Sequence, residues 1–392
     1  MIEKFNELIT ALSSGDKVAA TNMGLYFLGM IVMFTIGSVL IYLAIKKDYE
    51  PALLLPIGFG AIITNIPLNN IILGSKGEVG IFGFLYDNTI ANELFPVLIF
   101  IAVGAMIDFT PLFQTPFMLF FGAAAQFGIF ATMMVALLFG FSLQEAGAIG
   151  VIGAADGPTS IFVANAFKLD KGLIAAITVA AYSYMSLVPI IQPPVIRLLT
   201  TREERRIRMN FSQKKVSKLA KILFPIIVTI ISGMVAPESV ALIGALMFGN
   251  LIRECGVLNR LSESAQKELA NLVTLLLGIT IGTTMTAASF LNVKTAIIMA
   301  MGLAAFIFDT AGGVMFAKFI NLFRKEKINP MVGAAGISAF PMSARVIQKM
   351  AKDEDPMNFI LMQSVAANVS GQLGSVVAGS MILALVGRLI GL

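Results

Sequence analysis

Long apolar stretches without any charged residue alternate with short polar segments along the chain. The first strong one is Asn22–Ile45, closed by two lysines, and four later stretches carry no charge: Phe109–Gln144, Gly172–Ile196, Leu269–Val293 and Pro356–Gly387. A membrane-spanning helix needs about 20 apolar residues, and backbone groups that face lipid must be satisfied within their own segment. We therefore expect an all-α polytopic membrane protein with about ten to twelve helical segments.

Composition excludes other classes of protein. Of 392 residues, 57% are hydrophobic and 13% charged, whereas a soluble protein is about one quarter charged. This excludes a cytosolic enzyme, a nucleic-acid binder and a disordered scaffold. The chain has no histidine and one cysteine, Cys255, so imidazole chemistry, an internal disulfide and a cysteine zinc site are also excluded.

A basic linker divides the apolar sequence into two nearly equal parts. Nine basic residues lie between Arg197 and Lys221, against two glutamates. The positive-inside bias places this linker on the cytoplasmic side, either as a plain topogenic loop or as a docking segment for a soluble partner. The expected organisation is an N-terminal segment (1–20), a first transmembrane repeat (21–200), the linker (201–217) and a second repeat (218–392).

The two parts echo each other weakly. Each contains a hydroxyl-x-x-Pro break, at Thr64–Pro67 and at Ser338–Pro341, and an Ala-Ala-(Asp/Asn) break that ends at Asp156 or at Asn368. Such paired interruptions are typical of inverted repeats whose discontinuous helices meet near the middle of the membrane. The spacing between the two breaks differs between the parts.

Asp156 is the strongest candidate for chemistry. It is the only charged residue between Glu145 and Lys168, and Gly157-Pro158 follows it directly. A lone carboxylate in a bilayer costs at least ~2.5–3.5 kcal/mol and is normally functional. Carbonyls freed by the proline, beside a carboxylate, suit a monovalent cation or a proton. The alternative is an ordinary Asp-Gly-Pro turn in a loop exposed to water.

Other polar groups interrupt the second part. The amide of Asn368 could complete a cation's shell, or could serve helix packing among its small neighbours. Asn329, Gly333 and Ser338 precede Arg345 in a segment broken by prolines. Arg345 could bind a carboxylate in bidentate fashion or could be a plain interfacial arginine.

Tyrosines and two further aspartates are weaker candidates. Tyr182 and Tyr184 lie in a charge-free run, where a phenol can donate a proton or a hydrogen bond, although aromatic packing is the commoner role. Asp108 and Asp309 stand near the ends of apolar runs, and we expect both at the membrane interface.

Four segments together resemble the membrane beta subunit of biotin-dependent sodium-translocating decarboxylases, which serve oxaloacetate, glutaconyl-CoA or methylmalonyl-CoA. They are GAADGPTSIFVAN, AAYSYMSLVPIIQPPVIRLLTT, NPMVGAAGISAFPMSARV and AANVSGQLGS. The resemblance covers nearly the whole chain from about residue 20. It implies a multi-pass subunit in the inner membrane of a bacterium or archaeon that decarboxylates carboxybiotin, exports Na⁺ and consumes a proton.

The resemblance also implies roles for single residues. The family's essential aspartate falls on Asp156 and its tyrosine on Tyr182, while its remaining polar set falls on Asn329, Gly333, Ser338, Arg345 and Asn368. Na⁺ would be held by Asp156, Asn368, Asn329 and Ser338, with Gly333 allowing close backbone approach. Arg345 would orient carboxybiotin, and Tyr182 or Ser338 would serve a second ion or the proton path.

Partners and cofactors follow from the same resemblance. The biotin would be attached to a separate carrier protein, because this chain has no Met-Lys-Met attachment motif. A carboxyltransferase alpha subunit and a small membrane gamma or delta subunit are the other expected partners, in an oligomer without nucleic acid. The rival interpretations are a secondary Na⁺/H⁺ antiporter or Na⁺–carboxylate symporter, and a non-catalytic membrane anchor.

Overall fold

The computed structural model describes residues 17–67, 71, 79–210, 215–235 and 237–390, and its architecture is all-α. The predicted fold class is therefore confirmed. Most of the N-terminal segment (1–20) and part of the basic linker lie outside the described residues.

Twenty α-helices run through the described part of the chain, and many are short because prolines, glycines and polar residues interrupt the apolar stretches. The helices before the linker are α1 (Lys17–Lys47), α2 (Pro51–Thr64), α3 (Ile81–Leu85), α4 (Leu94–Met106), α5 (Thr110–Gln114), α6 (Leu119–Ala125), α7 (Phe127–Leu138), α8 (Leu143–Val151), α9 (Gly157–Ala166) and α10 (Lys171–Leu199). Those that follow are α11 (Arg202–Arg205), α12 (Lys218–Val235), α13 (Val240–Cys255), α14 (Asn259–Ser264), α15 (Ala270–Thr284), α16 (Ala287–Phe290), α17 (Val293–Phe323), α18 (Met331–Ala334), α19 (Met342–Glu354) and α20 (Leu361–Ile390).

Within the residues that the structure describes, four helical stretches are long and apolar enough to cross a membrane. They are Gly24–Lys47, Pro116–Leu138, Val293–Phe323 and Leu361–Leu389, and two bent helix pairs bring the number of candidate spans to as many as six. Large apolar side chains on α1 and α12 are exposed, such as Ile45 and Met234. This is the surface expected of helices that face lipid.

The helices form two compact units. The smaller unit combines Met1–Asn92, Asp170–Ala176 and Thr274–Ile297. Within it α1 packs closely on α2, because Gly37 and Gly58 face each other without side chains. Asn65 joins its parts by donating to Met285 O (2.8 Å) and accepting from Ala287 N (2.8 Å).

The larger unit combines Glu93–Leu169, Ile177–Val273 and Ile298–Leu392. It holds both Asp156 and Asn368. Asp156 lies in a break between two helices, but Asn368 lies inside the continuous helix α20, so the helix break expected at Asn368 is wrong. Glycines again set the helix spacing, since a Cβ at Gly104 would meet the backbone of Leu246 and one at Gly249 the backbone of Ile101. Such close crossings are typical of helices that pack through small residues in a membrane.

Part of the basic linker is fastened to the larger unit. The amide groups of Asn329 and Asn358 both donate to Arg205 O and Ile207 O, at distances from 2.8 to 3.3 Å. Arg205 Nε also lies 2.7 Å from a carboxylate oxygen of Glu354, and this hydrogen bond with Arg205 holds the pKa of Glu354 below its usual range. We call residues 200–209 the linker strap.

Candidate cation site

Asp156 stands at the start of a half-helix inside the larger unit. Helix α8 ends in a short 3₁₀ turn, Ile152–Ala154, and Ala155 adopts left-handed backbone angles (φ 53°, ψ 45°) that reverse the chain. Asp156 then caps α9, whose first turn contains Pro158. The exposed fraction of Asp156 is 5%. The alternative of a turn in water is excluded by this burial.

Three hydrogen bonds converge on the Asp156 carboxylate. Oδ1 accepts from Thr159 N (3.3 Å), while Oδ2 accepts from the hydroxyls of Thr159 and Ser375 (2.7 Å each). Among the residues that the structure describes, no lysine or arginine forms an ion pair with this carboxylate. The N-terminus of α9 contributes the positive end of its helix dipole, so the charge has donors but no counter-ion.

One face of α20 brings Asn368 and its polar neighbours close to the Asp156 loop. Asn368, Gly371, Gln372 and Ser375 lie at positions i, i+3, i+4 and i+7, which share one helix face. Each contacts the 336–338 stretch or Asp156. Helix α20 thus contacts Asp156 directly, through the Ser375 hydroxyl.

The 336–338 stretch is hydrogen-bonded both to the Asp156 break and to α20. Ser338 N donates to Ala154 O (2.9 Å), two residues before Asp156, and Ser338 Oγ donates to Gly371 O (2.9 Å). Gln372 Nε2 donates to Ser338 O. Ser338 therefore lies between the Asp156 loop and α20.

Asn368 supplies an oxygen without a partner. Its side chain is fully buried and its Nδ2 donates to Ile337 O (2.6 Å), but Oδ1 accepts no hydrogen bond from any described residue. An unsatisfied buried acceptor costs about 1–3 kcal/mol. A cation is one group that would satisfy it.

Tyr182 also belongs to this neighbourhood. It is buried in α10, and a Cβ at Gly157 would collide with its ring. The phenol ring thus packs on the residue that follows Asp156. The hydroxyl of Tyr184, by contrast, donates a hydrogen bond to Met299 O on α17.

Asn329 and Gly333 make contacts of another kind. The amide of Asn329 donates to the linker strap, and its Oδ1 accepts from Met331 N (3.1 Å). Gly333 faces Gly313 with no room for a side chain on either residue. The recorded contacts therefore join Asp156, Ser338, Asn368 and Tyr182, and they link Asn329 to the strap.

Arg345 is exposed on α19. Its guanidinium forms no hydrogen bond or ion pair with the part of the chain that the structure describes. The side chain is thus available to a carboxylate from outside the chain.

Sequence reasoning missed two residues of this region and misplaced a third. Ser375 and Thr159 bind the Asp156 carboxylate, but in the sequence they look like small packing residues. The expectation that Asp309 lies at the interface is wrong, because this residue is fully buried near the middle of α17. A helical-phase argument could have found Ser375, which is seven residues after Asn368.

The apolar helices and the buried carboxylate define an integral helical membrane protein with an internal polar site. Residues 29–386 match the family model described as the Na⁺-transporting oxaloacetate decarboxylase beta subunit. The chain is 46% identical over 381 residues to the methylmalonyl-CoA decarboxylase subunit beta of Propionigenium modestum, covering 92% of this chain and 95% of that one. It is 48% identical over 359 residues to the glutaconyl-CoA decarboxylase subunit beta of Acidaminococcus fermentans, covering 92% and 94%. It is 41% identical over 422 residues to the probable oxaloacetate decarboxylase beta chain of Vibrio cholerae, covering 92% and 97%.

The chain belongs to the family of beta subunits of Na⁺-transporting, biotin-dependent decarboxylases. The predicted function, a sodium-translocating component of a multisubunit decarboxylase complex in the membrane, is confirmed at this level. No observation favours the antiporter, symporter or anchor interpretations.

Proposed function

We propose that Asp156 is the charged ligand of the Na⁺ that this subunit transports, with Asn368 Oδ1 and Ser338 as neighbouring oxygens. One observation carries the proposal: a buried carboxylate with three donors and, among the described residues, no lysine or arginine partner. A buried charge without a counter-ion is costly. Na⁺ supplies the missing charge, because hard cations prefer carboxylate, amide and hydroxyl oxygens.

The organic substrate is carboxybiotin, and the biotin is carried by a partner subunit. Arg345 fits its carboxylate, since the guanidinium is exposed and unpaired within the described chain and its planar fork matches a carboxylate. Carboxybiotin supplies the decarboxylation that drives transport. The biotin carrier, the carboxyltransferase alpha subunit and a small gamma or delta subunit complete the complex.

Coupling requires that cation binding and decarboxylation favour the same conformation of the subunit. The hydrogen bonds Ser338 N to Ala154 O and Asn368 Nδ2 to Ile337 O connect the Asp156 break to α20 through the 336–338 stretch. A change at the Asp156 break is therefore passed to α20. Asn329 supports the site indirectly, through the strap, and Tyr182 borders it through Gly157.

The test is Asp156→Asn in the complete complex, reconstituted into liposomes. The variant keeps the shape of the side chain and loses its charge, so we expect Na⁺-dependent decarboxylation and uptake of radioactive sodium to fall by about 100-fold or more. Copurification of the biotinylated subunit should be unchanged. Asp108→Asn is the matched control, because Asp108 follows α4 and is about half exposed.

Near-normal sodium uptake by assembled Asp156→Asn complex would rule out this role. Sodium uptake without any dependence on carboxybiotin, in either protein, would instead favour a secondary transporter.

A further inference from the structure

A second carboxylate is buried in the larger unit, and the proposed function does not use it. Asp309 is the seventeenth of the 31 residues of α17, and its exposed fraction is 0%. Its Oδ1 accepts from Ile129 N (3.1 Å), and the N–H of Gly128 also bonds to the carboxylate. These two N–H groups open α7, a helix of 12 residues.

The other oxygen of Asp309 has no such support. Oδ2 forms no hydrogen bond with any residue that the structure describes. Gly153 and Ala305 are among its neighbours, because a Cβ at Gly153 would lie 2.8 Å from Oδ2 and 2.7 Å from the Ala305 Cβ. Because Gly153 has no side chain, there is room for Oδ2 beside it.

The two buried aspartates thus differ in how their oxygens are satisfied. Asp156 receives donors on both oxygens, two of them from hydroxyls, which suits an ionised carboxylate. Asp309 receives donors on Oδ1 alone, which suits a carboxylic acid with its carbonyl at Oδ1 and its proton at Oδ2. An ionised Oδ2 beside a methyl group and a glycine would be costly.

We infer that Asp309 is the proton-carrying carboxyl of this subunit, holding in neutral form the proton that decarboxylation consumes, while Asp156 holds Na⁺. The inference rests on the proposed function. When the N–C bond of carboxybiotin breaks and CO2 leaves, the bonding electrons stay on the ureido nitrogen, which takes up one proton. Asp309 gives up the proton from Oδ2, becomes a carboxylate and is reprotonated from water.

Few other charged or titratable groups face Asp309. Helix α7 has no charged or titratable residue, and neither does α18, which packs on Gly313 of α17. On α8 and the turn after it the nearest are Glu145, at the far end, and Asp156, three residues beyond Gly153. Tyr184 of α10 packs on Gly302, and on α17 itself Lys318 pairs with Glu204 while Lys294 lies fifteen residues away.

The position suits a path to Asp156. Gly153 contacts Oδ2 of Asp309, and Ala154 accepts the hydrogen bond from Ser338 N. The two carboxyl groups therefore lie at the two ends of one short turn. Ionisation of Asp309 would place a negative charge beside this turn, which gives proton release a way to alter the Na⁺ site.

The test compares Asp309→Asn and Asp309→Glu in the complete complex in liposomes. The amide of the Asp309→Asn variant would keep an oxygen for the α7 donors but could not exchange a proton. We expect Asp309→Asn to lower turnover by about 100-fold, the scale of a lost proton donor, and to remove the fall in rate at alkaline pH. Na⁺ should still raise the thermal stability of the variant. Asp309→Glu should recover much of the rate, with the alkaline limb at a different pH.

Two results would overturn the inference. One is Asp309→Asn turnover within twofold of the parent with an unchanged pH profile. The other is loss of the Na⁺-induced stabilisation, which would make Asp309 part of the cation site. Asp156→Asn, measured in parallel, separates the two proposals: if it retains Na⁺ binding, the proposed function fails whatever Asp309 does.

A measurement on the unaltered complex covers the case in which the variants do not assemble. Dicyclohexylcarbodiimide reacts with protonated carboxyl groups in apolar surroundings, and mass spectrometry locates the adduct. We expect modification of Asp309 that falls with rising pH and that Na⁺ does not prevent. Absence of an adduct on Asp309 at all pH values, or full protection of Asp309 by Na⁺, would contradict the inference.

Discussion

Replacing Ser375 with alanine should weaken Na⁺ binding, and the loss should grow as the pH falls. The Ser375 hydroxyl lies 2.7 Å from Asp156 Oδ2 and 3.1 Å from Gln372 O. It has one hydrogen, and the shorter contact with a charged acceptor is the stronger hydrogen bond. Ser375→Ala therefore removes one of the three donors that stabilise the ionised carboxylate.

The magnitude follows from the protonation state of the empty site. A hydrogen bond to a charged group contributes roughly 1.5–3 kcal/mol, and each 1.4 kcal/mol is tenfold in a binding constant. At a pH where the empty carboxyl is protonated, Na⁺ binds only after ionisation, so the half-saturating Na⁺ concentration should rise about 10- to 150-fold. At higher pH both the empty and the occupied carboxylate lose the same donor, and the difference should shrink.

The assay is Na⁺-dependent decarboxylation by reconstituted complex, titrated with Na⁺ from acidic to neutral pH. Ser380→Ala is the matched control, because Ser380 is buried on the same helix and its hydroxyl donates only to Val376 O (2.8 Å). In the unaltered protein the half-saturating Na⁺ concentration should itself rise as the pH falls, since Na⁺ and H⁺ compete for one carboxylate. A Ser375→Ala effect that is absent, or equal at every pH, would refute this reasoning.

Two further predictions concern the surface of the larger unit. Arg345→Lys keeps the charge but loses the planar fork, so carboxybiotin turnover should fall about tenfold with Na⁺ binding preserved. Arg260→Lys, which changes an exposed arginine elsewhere, is the control. Loss of Na⁺ binding with normal turnover at saturating Na⁺ would invert the assigned roles. Glu354→Gln should speed hydrogen exchange of the linker strap a few-fold, with exposed Glu203→Gln as control. The lowered pKa of Glu354 means that its contribution to holding the strap is present at neutral pH and is lost as the pH falls through that lowered value. Protection of the strap amides from exchange that does not change with pH or with the Glu354 substitution would contradict this.

Sequence patterns predicted the helical class and the Asp156 break because both depend on local signals. A lone carboxylate in an apolar run, followed by Gly-Pro, marks a helix start whatever surrounds it. Asn368 was found in the same way, as an amide in a charge-free stretch. The repeat boundaries at 21–200 and 218–392 stay a prediction, as do the assignments of the site residues.

The position of Asp309 was out of reach because it depends on three-dimensional neighbours, whereas the helical spacing from Asn368 could have pointed to Ser375. Asp309 is eight residues from the end of the apolar run Ala296–Ala317, so counting from the ends suggested an interfacial position. Only the contact between α17 and the start of α7 shows why its carboxylate is tolerated there. Asn329 illustrates the reverse: its residue type suits a cation ligand, but its amide faces linker carbonyls that are more than a hundred residues away in sequence.

The linker strap has a mechanical consequence for the subunit. Four hydrogen bonds from two asparagine amides hold the same pair of carbonyls, and Asn329 is nine residues before Ser338. Displacing the strap must either break the two bonds from Asn329 or move the 329–338 segment with it, and the same holds for the two bonds from Asn358 and its segment. A displacement of the strap is thus transmitted through Asn329 to the segment that carries Ser338.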